Sequence, residues 1–455
     1  MRTERDFLGE KQIPGEALWG IHTARALENF PLGNSSVNPR LLSAYAQVKK
    51  ACALANAELG HLDSEKADAV IESCNDFSLS TFDPSLPALS GLQGGAGTST
   101  NMMMNEIIAN RALKKLGKEY GDYETVHPLD HINLHQSTND TFPTALKVAA
   151  IYALRELSES VATLQGAFQR LEKKFADIPT IGRTERVCAV PLTLGAEFSG
   201  FAEAFARDRW RTFKCEERLR VVNLGGTAIG TGLTAPRSYI FLATEKLREI
   251  TGLGLTRGEN LIDQTANQDC FVEVSGILKA LAVNLIKVCD DLRLLAMSGE
   301  IKLPAVQAGS SIMPGKVNPV ILESVIQAGL KIKANDMLVA DAASRASLQI
   351  CEFMPLLADA LLGSLDLLKE ASDMLTAHAD GIEADKDQCR RAFTRSPEIV
   401  TAFVPQLGYD RCAELLKEFE AGDNGTIYEF LTGKLGTEAV EKTLSPQNLM
   451  ALGHR

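Results

Sequence analysis

The densest cluster of potentially reactive side chains is the stretch 309–319, which reads GSSIMPGKVNP. Two adjacent hydroxyls, those of Ser310 and Ser311, are followed by the ammonium of Lys316 and the amide of Asn318. A nearby cation lowers the free energy of a serine alkoxide, and the same cation can hold a carboxylate. This stretch therefore predicts one loop that carries both a base, Ser310, and a clamp for an anionic substrate.

Three further segments carry small polar side chains where a packed core would carry aliphatic ones. Short hydroxyl and amide groups can surround carboxylate oxygens without filling a pocket. Taken singly, the first two segments also fit turns and helix caps, but their occurrence together with the Ser310 loop favours a binding site. The segments are GGAGTS at 94–99, HQSTND at 135–140 and GRTE at 182–185, and their candidate binding residues are Thr98, Ser99, Ser137, Thr138, Asn139, Thr184 and Glu185.

Three stretches repeat apolar residues at alternating spacings of three and four, and these must position the polar segments. They run over 154–175, 277–295 and 357–375. This spacing predicts long helices packed side by side. A fourth helix is predicted to begin at Pro319, with Asn318 as its N-cap. Alternating strand patterns are scarce, so we expect a mainly α fold with a central bundle of long helices.

Composition and charge exclude several classes of partner. The 455 residues are 45% hydrophobic and 23% charged, which is typical of a globular chain, and the formal net charge is −11. This charge argues against nucleic acid or an anionic membrane as a partner. No apolar run approaches the roughly 18 residues of a membrane span, and the first residues lack a secretion signal. A cytoplasmic location with reduced thiols is expected, since the nine cysteines contain no CxxC pair.

Two other patterns could suggest a metal or a cofactor. His127, His131 and His135 are spaced four apart, but Pro128 makes a continuous helix doubtful, so we predict no metal site and a supporting role for His131. The glycine-rich stretch 225–232 lacks the GxGxxG order of a dinucleotide site, and it fits a turn that needs close backbone approach. We therefore expect no cofactor.

Cys188 stands near one of the polar segments, which raises the question of a nucleophilic role. No histidine is adjacent to it in the sequence. We expect instead a buried structural thiol.

Read together, these motifs resemble the fumarase/aspartase superfamily of lyases, and within it the aspartase branch. The resemblance runs from end to end of the chain. It is carried by GIHTARALENF at 20–30, QGGAGTSTNMMMNE at 93–106, QSTND at 136–140, VNLGGTAIGTGL at 222–233, GSSIMPGKVNP at 309–319 and SPQNLM at 445–450.

The resemblance implies three domains and a homotetramer built on a twenty-helix core. Residues 1–140 would carry part of the substrate site, 141–390 the long-helix bundle with the catalytic loop, and 391–455 a small C-terminal helical domain. Each active site would be composite, with contributions from three subunits.

The same resemblance implies elimination of ammonia from L-aspartate to give fumarate, without a cofactor. Ser310 would remove the Cβ proton, and Asn139 would face the leaving amine. Thr98, Ser137, Thr138 and Ser311 would hold the β-carboxylate, and Thr184, Lys316 and Asn318 would hold the α-carboxylate. Fixed donors at the β-carboxylate make chemical sense because negative charge develops there in the transition state.

Two departures from the family pattern concern the substrate. Where relatives read Gly-Arg-Thr-His/Gln-Leu-Gln-Asp-Ala, this chain has Glu185 and Arg186 after Thr184. In fumarase-like relatives the histidine at this position pairs with a glutamate equivalent to Glu323, so two carboxylates could meet here and share a proton or bind a cation. The second departure is a shortening directly after Gly299, which could change how the catalytic loop is anchored.

These departures keep three alternatives open. The first is a carbon–nitrogen lyase for a modified or more cationic aspartate-like substrate, since a carboxylate at Glu185 favours a cationic group. The second is a fumarate hydratase, which the missing histidine disfavours. The third is a structural descendant without catalysis, which would have little reason to keep Ser310, Lys316 and Asn318.

Overall fold

The chain is built mainly from α-helices, which confirms the predicted fold class. The computed structural model describes residues 1–33, 36–77, 86–422, 425–451 and 453. The helices are α1 Ile21–Asn29, α2 Pro39–Glu58, α3 Ser64–Asn75, α4 Thr98–Lys115, α5 Thr138–Lys174, α6 Leu194–Cys215, α7 Arg237–Thr251, α8 Leu261–Ala266, α9 Asp269–Met297, α10 Val320–Ser344, α11 Met354–Ala379, α12 Lys386–Arg395, α13 Val404–Leu407, α14 Tyr409–Glu420, α15 Ile427–Leu435, α16 Thr437–Thr443 and α17 Pro446–Leu449.

Short helical turns and two-stranded ladders connect these helices. A π-helical turn spans Pro128–Ile132, and 3₁₀ turns span Glu216–Leu219 and Pro397–Phe403. The strands are β1 Arg2–Asp6, β2 Gly9–Ile13, β3 Pro179–Thr184, β4 Val187–Thr193, β5 Val221–Val222, β6 Thr256–Arg257, β7 Ile301–Lys302 and β8 Glu383–Ala384. The pairs β1–β2, β3–β4 and β7–β8 are antiparallel, whereas β5–β6 is parallel.

The three apolar repeats all lie on long helices. In α5 the repeat from Leu154 to Leu171 is buried along its whole length, and Phe175 follows just after the helix ends. The repeat in α11 is equally buried. In α9 the predicted member Ile277 is only half-buried, and Val274 and Leu278 occupy the core instead.

The start of α10 corrects one sequence prediction. The helix begins at Val320, and its first turn is closed by the Glu323 N–H, which donates to Pro319 O at 3.1 Å. The Asn318 side chain does not act as the expected cap in the described structure. It donates to Gly309 O at 2.7 Å and so closes the preceding loop.

The chain forms two compact units, each made of three separate stretches. The first comprises Met1–Leu157, Arg211–Lys279 and Lys331–Leu367, and the second comprises Ser158–Trp210, Ala280–Leu330 and Leu368–Arg455. These units do not test the predicted division at residues 140 and 390, which stays a prediction.

Side chains tie neighbouring helices together within each unit. In the first, Arg40 of α2 pairs with Glu156 of α5 and with Asp366 of α11, each at 2.7 Å. In the second, Phe168 of α5 contacts the rings of Phe198 and Phe205 on α6. The second unit also contains a smaller core formed by the C-terminal helices, and Ile181 of β3 packs into that core.

Across the described stretches, no helix is both long enough and apolar enough to span a membrane. All nine cysteines are free thiols.

Candidate active site

The loop 309–319 is closed on itself by hydrogen bonds at its base. The Gly309 N–H donates to Lys316 O at 2.7 Å, and the Asn318 amide donates to Gly309 O at the same distance. A Cβ atom at Gly309 would lie 2.9 Å from the backbone and side-chain nitrogens of Asn318, so a larger residue does not fit. The sequence therefore forms a compact loop with Ser310 and Lys316 on the same short segment.

Ser310 lies in a backbone environment that suits a negative charge. Its Oγ accepts the N–H of Met313 at 2.9 Å and that of Ile312 at 3.2 Å. Hydrogen bonds to the charged form of a group favour that form, so these two donors lower the free energy of a Ser310 alkoxide. A pocket of about 420 Å³ lies against the loop, and both Ser310 and Lys316 line it.

Most of the remaining side chains of the loop are open to solvent. Ser311 and Lys316 are exposed, and Asn318 is half-buried. In the described part of the chain, no carboxylate forms an ion pair with Lys316, so its ammonium is available to an anionic ligand.

Three of the candidate β-carboxylate residues, Thr98, Ser137 and Thr138, lie at two helix N-termini in the first unit. Thr98 and Ser99 begin α4, whereas Thr138 begins α5. The two ends lie side by side, because a Cβ atom at Gly97 would be 2.3 Å from the ring of Phe142. Helix N-termini attract anions through their unpaired N–H groups and the helix dipole.

The hydroxyl groups at these two ends already have local partners. Thr98 Oγ1 donates to Gly95 O at 2.7 Å, and Ser137 Oγ accepts the Asn139 N–H at 3.2 Å. Ser99 and Thr138 are buried. Thr98 would therefore have to rotate before it could donate to a carboxylate.

Asn139 is fixed by the glycine-rich loop 223–233. Its amide nitrogen donates to Ala228 O at 2.6 Å, and its backbone carbonyl accepts from Asn223 Nδ2 at 2.9 Å. Among the described residues, no protein donor bonds to the Asn139 side-chain oxygen. That oxygen is the atom that could accept from a substrate ammonium.

The glycine-rich loop itself fits the predicted turn of close backbone approach. At Gly230, φ is +84° and a Cβ atom would lie 2.4 Å from the backbone of Ile262. Asp140 draws this loop against α5, because its carboxylate accepts from Gly225 N at 3.1 Å and Thr227 N at 3.0 Å. It also accepts from Ser137 N at 3.0 Å.

Lys49 is a buried support that sequence reasoning missed. Its ammonium donates to Asn133 Oδ1 at 3.0 Å and to Gln136 Oε1 at 2.8 Å, beside the QSTND segment. Burial lowers the pKa of Lys49 to about 8. The signal in the sequence was a single lysine on the apolar face of α2, between the buried residues Tyr45 and Cys52.

The histidine triplet has structural contacts. His127 caps the π-helical turn by accepting from Leu129 N and Asp130 N, each at 3.2 Å. His131 accepts from His127 N at 2.8 Å, and its pKa is lowered by burial. No group of three or more His, Cys, Asp or Glu side chains suited to a metal ion occurs in the described ranges.

Thr184, Glu185, Arg186 and Cys188 lie at the exposed tip of the β3–β4 hairpin, which sequence reasoning missed. Thr184 pairs with Val187, so Glu185 and Arg186 form a two-residue turn. Their φ angles, +52° and +65°, have the signs of a type I′ turn. Most such turns use Asn or Gly, so a Glu-Arg pair gave no hairpin signal.

This hairpin also corrects the prediction for Cys188. The thiol is exposed on β4, not buried as expected. Alternate residues of a strand face opposite sides, and near a hairpin tip both sides reach solvent.

Strand β3, which leads to Glu185, contacts the residue after Gly299 in the second unit. Glu300, which directly follows the shortened segment, has a fully buried side chain and pairs with Arg183 of β3 at 2.7 Å. Glu323 instead lies 3.8 Å from Arg293. The expected meeting of Glu185 with Glu323 stays a prediction.

Comparison with known proteins extends over nearly the whole chain. Residues 9–333 match a protein-family model described as Lyase. Aspartate ammonia-lyase from Helicobacter pylori strain J99 is 41% identical, and the match covers 99% of this chain and 98% of that protein.

Solved structures show the same fold. The crystal structure of fumarate lyase:delta crystallin from Brucella melitensis bound to cobalt has a TM-score of 0.94 at 42% identity. The match covers 99% of this chain and 100% of the Brucella chain. Class II fumarase from Schistosoma mansoni has a TM-score of 0.90 at 28% identity, and both chains are fully covered. The similarity is thus one of complete chains and not of isolated motifs.

Proposed function

The chain belongs to the fumarase/aspartase superfamily of lyases, and on that premise we propose that it eliminates ammonia from L-aspartate to give fumarate. It is a carbon–nitrogen lyase, and the substrate is carried over from similar proteins named aspartate ammonia-lyase. The observation that best supports the proposed chemistry is the pair of backbone N–H groups on Ser310 Oγ.

In the proposed reaction the Ser310 alkoxide takes the proton from Cβ. The electron pair of the C–H bond moves into the β-carboxylate and gives an aci-carboxylate dianion. Collapse of this dianion forms the carbon–carbon double bond while the C–N bond breaks and ammonia leaves with its electron pair. Removing a proton beside a carboxylate is difficult, so donors fixed at that carboxylate carry much of the catalysis.

The residues divide the substrate between them. The two helix N-termini with Thr98, Ser137 and Thr138, together with Ser311, are proposed to hold the β-carboxylate. Lys316, Asn318 and Thr184 are proposed to hold the α-carboxylate. The Asn139 side-chain oxygen then accepts from the ammonium, and Glu185 adds a negative charge that favours this group.

Association into a homotetramer, with each site completed by several copies, is part of the proposal. Large apolar side chains exposed on the long helices support it, since such residues commonly mark protein interfaces. Met297 on α9 is 80% exposed, and Met337 on α10 is 69% exposed. Light scattering would test it, and a monomer at assay concentration would contradict it.

A panel of amino-dicarboxylates, followed by the ultraviolet absorbance of the unsaturated product, tests the proposed substrate. L-Aspartate should give the highest kcat/KM. Strong turnover of a more cationic analogue with none of aspartate would replace the assignment. Hydration of fumarate in the absence of ammonia would favour the hydratase alternative instead.

A further inference from the structure

We propose that Glu300 is a positioning residue that holds the β3–β4 hairpin, and with it Thr184, in the orientation needed for substrate binding. This inference rests on the proposed function, because it uses the proposed contact of Thr184 with the α-carboxylate. Glu300 itself is placed away from the substrate, and it acts through the strand that leads to Thr184.

Glu300 lies three residues after the last residue of α9, and the way in which this helix ends places it in its buried position. The Glu300 N–H donates to Leu295 O at 3.0 Å and the Gly299 N–H to Ala296 O at 3.1 Å. With Gly299 at a φ of +78°, these two bonds form a Schellman motif, which ends a helix within one residue. Because Glu300 directly follows Gly299, no flexible connection separates the helix end from Glu300.

Among the described residues, the carboxylate of Glu300 has three partners, and its side chain has no exposure to solvent. Oε2 pairs with Arg183 at 2.7 Å and accepts from Ser298 Oγ at 2.5 Å. Oε1 accepts from Thr180 Oγ1. A buried carboxylate without such partners is strongly unfavourable, so each partner is held firmly in place.

Two of these partners lie at opposite ends of one strand. Thr180 is near the start of β3, and Arg183 immediately precedes Thr184 at its end. Glu300 therefore binds β3 near both of its ends. Ile181, which lies between Thr180 and Arg183, packs into the C-terminal core. The hairpin tip beyond Arg183 is exposed, so its orientation depends on the contacts that Glu300 makes with β3.

The same residue connects the hairpin to the catalytic loop. Glu300 O accepts from Asp385 N at 2.9 Å, beside the β7–β8 pairing, and the chain from β7 continues into the loop that carries Ser310. Glu300 thus fixes a proposed α-carboxylate donor, Thr184, relative to the segment that leads to the proposed base.

The variants Glu300→Gln, Arg183→Gln and the double variant test this inference, with Lys302→Gln as the matched control. Lys302 forms a more exposed pair with Asp385 at 3.0 Å, two residues along the chain. Each single variant should raise the KM for L-aspartate about tenfold and change kcat less than about threefold. The double variant should be no worse than either single one, since both remove the same contact. The control should match the native protein.

Amide hydrogen exchange over residues 183–190 gives a readout that does not need activity. It should become faster in both single variants and stay unchanged in the control. Unchanged exchange, an unchanged KM, or additive effects in the double variant would each overturn the inference. If Glu300→Gln fails to fold, Arg183→Gln decides, because the Arg183 side chain is 29% exposed. Inactivity of the native protein on aspartate would instead refute the proposed function and leave the exchange test intact.

Discussion

Asp140 accepts the backbone N–H of Thr227 at 3.0 Å and so joins the first turn of α5 to a loop 87 residues away in sequence. Two further backbone N–H groups, those of Ser137 and Gly225, also donate to its carboxylate. One buried carboxylate therefore sets the geometry on both sides of Asn139, the residue proposed to face the amine.

The stability of the protein should depend on pH through Asp140. Burial raises the pKa of its carboxyl from 3.8 to about 7, although the three backbone donors oppose the shift. Between these values the folded state holds a proton that the unfolded chain has lost, so stability falls by about 1.4 kcal/mol per pH unit as the pH rises, and levels off above about pH 7. Asp140→Asn does not titrate. Thermal unfolding of both proteins from about pH 5 to about pH 8 should show that only the native protein loses stability through this group. A difference in stability between the two proteins that is constant with pH would contradict the prediction.

Gly230→Ala should destabilise the protein by roughly 2 to 4 kcal/mol, because the added Cβ meets the Ile262 backbone in a left-handed conformation. Asn139 should move with the displaced loop, so activity should fall as well. Gly433→Ala is the control, because Gly433 is exposed inside α15 and, apart from its chain neighbours and its own helix backbone, no atom of the described residues lies within 4 Å of the position that an added Cβ would take. That change should be neutral or slightly stabilising. Chemical unfolding curves of the two variants measure their free energies of unfolding. Equal values for the two variants would contradict the prediction.

Ser310→Ala should lower kcat by about a thousandfold, since the proposed base is removed while the donors to both carboxylates remain. Substrate binding, measured by calorimetry, should stay within about threefold of the native value. Ser344→Ala, an exposed serine near the end of α10, should have native kinetics. Near-normal kcat in Ser310→Ala would refute the assignment of the base.

Lys316→Gln should raise the KM for aspartate by about tenfold or more, because the ammonium proposed to hold the α-carboxylate is lost. The dependence of KM on salt concentration should weaken in parallel. Lys333→Gln removes an exposed lysine of α10 and provides the control for net charge. Equal effects of the two variants would mean that only the overall charge matters.

Replacing Glu185 and Arg186 by Asn and Gly separates the shape of the hairpin from its side chains. Asn-Gly suits a type I′ turn better than Glu-Arg, so the hairpin should be at least as stable. If Glu185 contacts the substrate ammonium, KM should nevertheless rise several-fold. A native KM in this variant would show that the tip is only structural. Residues other than Glu185 and Arg186 would then determine substrate specificity.

The sequence predicted the features whose signals are local. The apolar repeat of α5 is readable because a packed helix face recurs at fixed spacing, and the Ser310 loop is readable because its reactive groups are contiguous. The β3–β4 hairpin was missed because Glu-Arg is an unusual turn pair. Lys49 and Glu300 were missed because a buried charge is recognisable only through partners distant in sequence, such as Gln136 and Arg183.

The proposed site residues remain predictions for a related reason. Their types match a known pattern, but such a pattern does not give the hydrogen-bond partners of each side chain. Two of them already show competing local bonds, those of Thr98 to Gly95 and of Asn318 to Gly309. Such hydrogen bonds depend on three-dimensional packing, and the spacing of residues along the chain does not predict them.

The donors to Ser310 come from the main chain, and this has a consequence for natural variation. Any residue except proline supplies a backbone N–H, so positions 312 and 313 can change side chain without loss of the two bonds. Ile312 is 85% exposed, which leaves its side chain few packing demands. Natural variants with any residue except proline at these two positions should therefore keep both backbone hydrogen bonds to Ser310 Oγ.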